Sequence, residues 1–417
     1  MKLSALAESL VGSEIVKIGN EVNDRKAKGE DIANLTIGDL NAQIYPIPEA
    51  LKDEIKIAYD EHMTNYPPAN GLLGLRESIA KDIKNRYHLD YSTDEILVAG
   101  GSRPLIYTAY MSIVDQGDKV IYPIPSWNNN HYSYLTSAQK VEVETKLENN
   151  FLPTAEDIKP HLEGAVLLAL CSPSNPTGTM FSADQLKEIC ELVVAENKRR
   201  KEGEKPLYII YDQIYALLNF GETHVNPVSL VPEVRDYTIF IDGASKCFAA
   251  TGIRVGWGFA PTLIINKMKA FAMHMGAWSP KPEQQAMSKF LVDTPAVEAF
   301  IQDFKGKIQH SLNTLHEGIQ NLKVNGFQVD SIKPMGALYL TIQLDYIGKT
   351  TPEGKKIEDS SDLVFYLIDK AGMALVPFSA FGNSRTMPWF RASVGGCSLE
   401  DIQKMLPKLE KALTALQ

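Results

Sequence analysis

At 417 residues the chain is longer than one hydrophobic core usually organises, so two domains are expected. A composition 44% apolar and 22% charged is that of a soluble globular protein, and no stretch nears the length of a membrane span. The net charge of −9 disfavours nucleic acid or an anionic membrane as a partner.

The opening residues 1–6 lack the apolar core of a signal peptide, which points to a cytoplasmic protein. The cysteines at 171, 190, 247 and 397 have neither metal-ligand spacing nor disulfide density and read as reduced thiols; no metal site is expected. Short β-branched runs then alternate with amphipathic helical stretches, the pattern of an α/β domain with a mainly parallel sheet. Strands are predicted at 96–99, 119–122, 165–170, 207–211, 238–241 and 255–259. The first five each run into a polar or glycine-rich motif, and ligands collect beyond the carboxyl ends of such strands.

Gly100-Gly101-Ser102-Arg103-Pro104 follows the first strand and precedes a helix over 105–113. Ser102 is expected to cap that helix, whose exposed N–H groups and dipole suit a phosphate, although an ordinary capped strand-to-helix turn is the commoner origin of such a segment taken alone. Trp127, just past the second strand, is placed to cover one face of a planar ring, although core filling is the commoner use of tryptophan. In Ser172-Pro173-Ser174-Asn175-Pro176-Thr177-Gly178, dense turn chemistry at a strand end aims one amide at the crevice, and either proline can be cis.

The basic run 198–201, followed by Glu202 and Glu204, reads as a solvated loop. Asp212 ends the most hydrophobic strand, where a carboxylate is expected to meet a cation such as a protonated ring nitrogen or else to cap a helix, and Tyr215 lies three residues on. Lys246 follows Asp242-Gly243-Ala244-Ser245 and precedes Arg254 by eight residues. A lysine condenses with an aldehyde only as the neutral amine, which requires burial or neighbouring positive charge, and Arg254 can supply the charge and a second ligand to phosphate.

Beyond about residue 295 a long helical stretch gives way to strand-like runs at 336–342, 373–376 and 390–394, suggesting a smaller α+β domain completed by the N-terminal segment. The expected divisions are 1–45, a large domain over 46–294, and 295–417. Residues 348–355 read as an exposed loop. Arg391 sits inside an apolar run, where it requires either an anionic ligand such as a substrate carboxylate or an internal salt bridge.

Taken in order, with Ile37-Gly38-Asp39, Tyr66-Pro67-Pro68-Ala69-Asn70-Gly71-Leu72 and Leu75-Arg76-Glu77, these segments resemble the class I and II aminotransferases, the aspartate-aminotransferase-like branch of pyridoxal-phosphate enzymes, over nearly the whole chain. The resemblance implies a seven-stranded-type sheet and a homodimer with shared active sites. It implies that Lys246 bonds pyridoxal 5'-phosphate and shuttles a proton. Asp212 would hold the ring nitrogen, Asn175 and Tyr215 the phenolic oxygen, and Trp127 the ring face. Gly101, Ser102, Arg103, Ser245 and Arg254 would cradle the phosphate, with Tyr66 reaching in from a second subunit. Arg391, Gly38 and Asn175 would bind the substrate carboxylate.

Three positions depart from the family pattern. Gly243 stands where a phosphate-binding serine is common, so that Ser245 or backbone must compensate. Arg103-Pro104 replaces a Gln-Ala-like pair, and Arg103 is free to serve the phosphate or the distal carboxylate of an acidic substrate. His274, Met275 and Gly276 occupy a region where dicarboxylate-specific relatives carry an arginine. The expected activity is ping-pong transfer of an amino group from an L-amino acid, aspartate or another dicarboxylic donor first, to a 2-oxo acid such as 2-oxoglutarate. The alternatives are a C–S lyase or other α-carbanion enzyme on the same cofactor, and a non-catalytic binding or regulatory protein.

Overall fold

The computed structural model describes residues 2–10, 12 and 14–417. Seven strands form the large sheet: β1 (Ile96–Ala99), β2 (Lys119–Ile124), β3 (Gln139–Glu144), β4 (Ala165–Cys171), β5 (Tyr208–Asp212), β6 (Thr238–Gly243) and β7 (Gly256–Phe259). Their spatial order is β1-β7-β6-β5-β4-β2-β3. All pairs are parallel except those of β7, which runs antiparallel to both β1 and β6. The apolar runs form strands that are covered on both faces. Leu97, Val120 and Leu167 enter a core beneath helices Ser102–Ile113 and Thr262–Met275. Their neighbours Ile96, Ile121 and Leu168 enter the opposite core, beneath Leu73–Tyr87 and Ala183–Arg199.

Edge strand β3, with the sequence Gln-Lys-Val-Glu-Val-Glu, is absent from the sequence-based expectation, since its alternating charges lack the apolar run that marks the interior strands. The run 198–201 is only partly a loop. Lys198 and Arg199 close a helix, and Arg200 turns inward, its Nε 3.2 Å from the buried Glu196 carboxylate and its Nη2 donating to the Ala165 carbonyl at 2.5 Å. All four cysteines are free thiols.

A second, antiparallel sheet comprises β8 (Val329–Ser331), β9 (Tyr339–Leu344), β10 (Val376–Pro377) and β11 (Trp389–Ser393), in the order β10-β11-β9-β8. The predicted run 373–376 divides: Met373–Ala374 pairs in parallel with Ala33–Asn34, and Val376 joins β11. Helices Ser360–Ala371 and Leu399–Thr414 bury Leu363, Leu367, Ile402 and Leu409 in the core of this unit, together with Ile18, Val22 and Leu35 from the N-terminal segment. One 31-residue helix, Thr294–Val324, threads both cores, with Val297 and Ile301 in one and Phe304 to Leu322 in the other. At about 1.5 Å per residue such a helix is long enough to serve both units. Among the described residues no helix is long and apolar enough to cross a membrane.

Candidate active site

The carboxyl ends of β2, β4, β5 and β6 open onto a cavity of about 700 Å3 closed from the other side by the small unit. Ser102, Arg103, Trp127, Asn175, Asp212, Tyr215, Ser245, Lys246, Arg254 and Arg391 line it, with Gly38 in its wall. Gly101 lies just behind this lining, where an added Cβ would strike the Arg254 guanidinium.

Lys246 stands on a single helical turn, Ala244–Cys247, that follows β6 directly. Its Nζ donates to the Gly38 carbonyl. Burial pushes the amine down to about 8; Asp39 opposes this, while Arg391, Arg103 and Arg254 reinforce it. Desolvation is therefore the main cause, and Arg254, the charge singled out from spacing, contributes least of the three arginines. The Asp39 carboxylate also accepts from Thr251 Oγ1 at 2.7 Å, tying the Ile37-Gly38-Asp39 segment to the loop that follows the lysine.

Asp212 accepts from the Ile214 N–H at 3.1 Å. Burial raises its carboxyl to about 6, with that hydrogen bond and Lys246 drawing it back. With no salt-bridge partner among the described residues, this carboxylate is poised for a cationic ligand.

Asn175 Oδ1 accepts from Arg391 Nη1 at 2.9 Å, and Nη2 of the same guanidinium donates to the Thr36 carbonyl at 2.5 Å. These partners are an amide oxygen and a carbonyl, so they leave the positive charge uncompensated, and the internal salt bridge weighed from sequence is not how Arg391 is held. The guanidinium is 2% exposed, stacked over Tyr339 and Phe381, and its Nε has no hydrogen-bond partner among the described residues. The peptide bonds before Pro125, Pro173 and Pro176 are cis.

Behind Ser102 the chain is compressed. Gly101, at φ 100°, occupies the N-cap position, so Ser102 is the first helical residue and not the cap expected from sequence. A Cβ at Gly256 would approach the Gly101 carbonyl carbon at 2.5 Å and the Ser102 nitrogen at 2.8 Å, so only glycine lets β7 pass this helix start. Arg254 adopts left-handed backbone, φ 56°, and its Nη1 and Nη2 each donate at 2.7 Å, to the carbonyls of Thr251 and Gly100. The helix N-terminus, Ser245 and Arg254 thus surround one end of the cavity. Gly243 has its own reason: a Cβ there would meet Gly256 Cα at 2.8 Å, leaving no space for a serine.

The Arg103 guanidinium lies 4.7 Å from the Trp127 ring centroid, a cation-π contact on the cavity wall. Tyr66 is not brought to this cavity by its own chain. It is 81% exposed and meets Trp278 edge-on at 5.2 Å.

Four contributors are missed by sequence reasoning. Tyr339 reads in the sequence only as part of a strand, yet its hydroxyl lies 2.6 Å from that of Tyr215. Ile15, Asn20 and Asn23, on helix Glu14–Ala27, line the cavity although their segment carries no motif.

Comparison with known proteins agrees with this architecture. The model of the family "Aminotransferase class I and II" matches residues 30–409. An aspartate aminotransferase of Geobacillus stearothermophilus is 30% identical over 389 residues, covering 92% of each chain. The crystal structure of an aspartate aminotransferase from Rhizobium meliloti superposes with a TM-score of 0.90 at 26% identity, covering all of both chains. An aromatic aminotransferase from Pyrococcus horikoshii OT3 does so with a TM-score of 0.82 at 26% identity, over 94% of this chain and 98% of that one. Fold and site together define a transferase with the aspartate aminotransferase architecture. The chain belongs to the class I and II aminotransferases.

Proposed function

We propose that this aminotransferase binds pyridoxal 5'-phosphate in the cavity and moves an amino group from an L-amino acid to a 2-oxo acid by a ping-pong cycle. The observation that carries the reading is the Lys246 amine, lowered to about 8 and sharing one cavity with the Asp212 carboxylate and the Arg391 cation, neither of which has a salt-bridge partner among the described residues. The residues fit that cofactor: the glycine cradle at Gly101 and Gly256 gives a phosphate backbone donors and Arg254, while Asp212 suits a cationic ring nitrogen. When bound, the cofactor supplies an electron sink for the carbanion at the substrate Cα.

The chain's own groups do the rest. Lys246, neutral over an accessible pH range, supplies the covalent amine and then accepts and returns the Cα proton. Asp212 keeps the ring nitrogen protonated. Asn175 and Tyr215 donate to the phenolic oxygen, Trp127 covers the ring, and Gly101, Ser102, Arg103, Ser245 and Arg254 hold the phosphate. Arg391, whose guanidinium lines the cavity with no carboxylate on it among the described residues, binds the α-carboxylate beside Gly38 and Asn175.

Aspartate or another dicarboxylic donor, with 2-oxoglutarate as acceptor, is the preferred pair, supported by the Arg103 cation on the cavity wall and by the names of the relatives. A neutral or aromatic donor is the second reading, favoured by the apolar wall of Ile15, Ile37 and Phe151. The exposed Tyr66 supports a homodimer in which it completes the partner's site, and a cytoplasmic location is proposed with it. The two cores support the division into 1–45, 46–294 and 295–417.

The test is the absorbance spectrum of the purified protein, before and after each of a panel of amino acids and then with 2-oxoglutarate. A cofactor band that shifts with a donor and returns with the acceptor establishes the cycle and names the donor. A band that shifts while pyruvate or ammonia appears without acceptor means a lyase.

A further inference from the structure

Two phenols meet in the wall of the cavity. Tyr215 and Tyr339 are 3% and 1% exposed, their hydroxyl oxygens lie 2.6 Å apart, and their rings meet edge-on. Two hydroxyls in contact share one hydrogen, and the second hydrogen must find another acceptor. The Tyr339 hydroxyl is confined on its other side, since a Cβ on Gly38 would lie 2.6 Å from it. The free hydrogen therefore belongs to whichever phenol faces the cavity with room for a ligand.

The ring of Tyr339 also lies under the Arg391 guanidinium, with 4.7 Å between Cζ and the ring centroid. A cation over the ring withdraws electron density from it, making Tyr339 the more acidic phenol and the stronger donor of the pair.

We propose that Tyr339 is a positioning residue: it donates to Tyr215 Oη, so that the Tyr215 hydrogen points into the cavity, and its ring seats the Arg391 guanidinium. One side chain thus sets both the group that meets the cofactor's phenolic oxygen and the group that binds the substrate carboxylate. The inference rests on the assignment of Tyr215 to that oxygen.

The test uses the cofactor-loaded enzyme and follows the visible absorbance against pH in Tyr339→Phe, Tyr215→Phe and the double variant. A donor to the phenolic oxygen stabilises it without its proton and lowers the titration midpoint. Tyr339→Phe should raise the midpoint by roughly half a pH unit, and Tyr215→Phe should raise it further. The double variant should match Tyr215→Phe. The affinity for propionate, an unreactive carboxylate read by the same spectrum, should stay within about twofold in Tyr339→Phe, because the ring beneath Arg391 remains.

A midpoint unmoved in Tyr339→Phe but raised in Tyr215→Phe overturns the inference alone. A midpoint unmoved in Tyr215→Phe overturns the assignment of Tyr215 and the inference with it. Loss of propionate binding alongside the shift means a loosened pocket and also overturns it. If Tyr339→Phe fails to fold, the double variant, which orphans no hydroxyl, is compared with Tyr215→Phe: a further rise in its midpoint contradicts the relay and equality supports it.

Discussion

Arg391 Nη1 donates to Asn175 Oδ1 across 2.9 Å, joining a strand of the small sheet to the loop that leaves β4 in the large one. The contact makes the guanidinium part of both units, so its loss should be felt in substrate binding before chemistry. Arg391→Ala removes two charged hydrogen bonds and leaves a buried amide oxygen unpaired. KM for the amino donor should rise by about 10²–10³-fold with kcat lowered by less than about tenfold, measured by steady-state kinetics. An unchanged KM would show that the carboxylate binds elsewhere.

Replacement of Lys246 by alanine should reduce turnover by roughly 10⁴-fold, because it removes the proton carrier as well as the covalent anchor. In the cofactor-free protein, only the neutral amine reacts with an aldehyde. The rate of cofactor uptake should accordingly rise with pH through a midpoint near 8, the value to which burial lowers Lys246. Stopped-flow absorbance across pH measures it, and a flat profile contradicts the assignment.

Gly256→Ala should release cofactor. The new Cβ would press on backbone atoms of Gly101 and Ser102, which cannot rotate away as a side chain can, and the helix start would move off the phosphate. We expect at least about a tenfold weaker cofactor affinity, read by equilibrium dialysis, with the melting temperature lowered more modestly.

Asp242 is buried and accepts from Gln213 Nε2 at 3.0 Å and from the Gly243 N–H at 2.7 Å, yet burial still raises its carboxyl to about 7. A raised carboxyl means that the folded chain holds a proton which the unfolded chain has released above about pH 4. Stability from this group is therefore full below about pH 4 and is lost as pH rises towards 7. Asp242→Asn should flatten the fall in urea midpoint of the cofactor-free protein between about pH 4 and 7. An unaltered slope would place the titration elsewhere.

Much of this was legible from sequence because the interior strands are continuous apolar runs and each ends in a residue with no structural reason to be there. Asp212 is the clearest case, a carboxylate closing Tyr208–Asp212. What escaped is non-local. Tyr339 reads as one more strand aromatic until Tyr215, 124 residues away, is placed against it. The cap position fell to Gly101 and not to Ser102 because the requirement came from the crossing strand β7, which no local pattern announces. Helix Glu14–Ala27 gives no chemical signal, yet it supplies Asn20 and Asn23 to the cavity wall.

The reversed direction of β7 has a consequence for evolution and engineering. Since β6 and β7 are antiparallel neighbours, Lys246 and Arg254 ride on the same short connection and leave the sheet at the same end. The covalent anchor and the anion clamp are thus spaced by a segment whose two exits are pinned in register, Gly243 opposite Gly256. Lengthening 247–253 by one residue would change the distance between two chemical functions, whereas the exposed tip at 201–204 offers room to absorb an insertion or a fused tag. The hairpin behaves as a ruler for the ligand, and diversification of this scaffold has to proceed through the walls of the cavity.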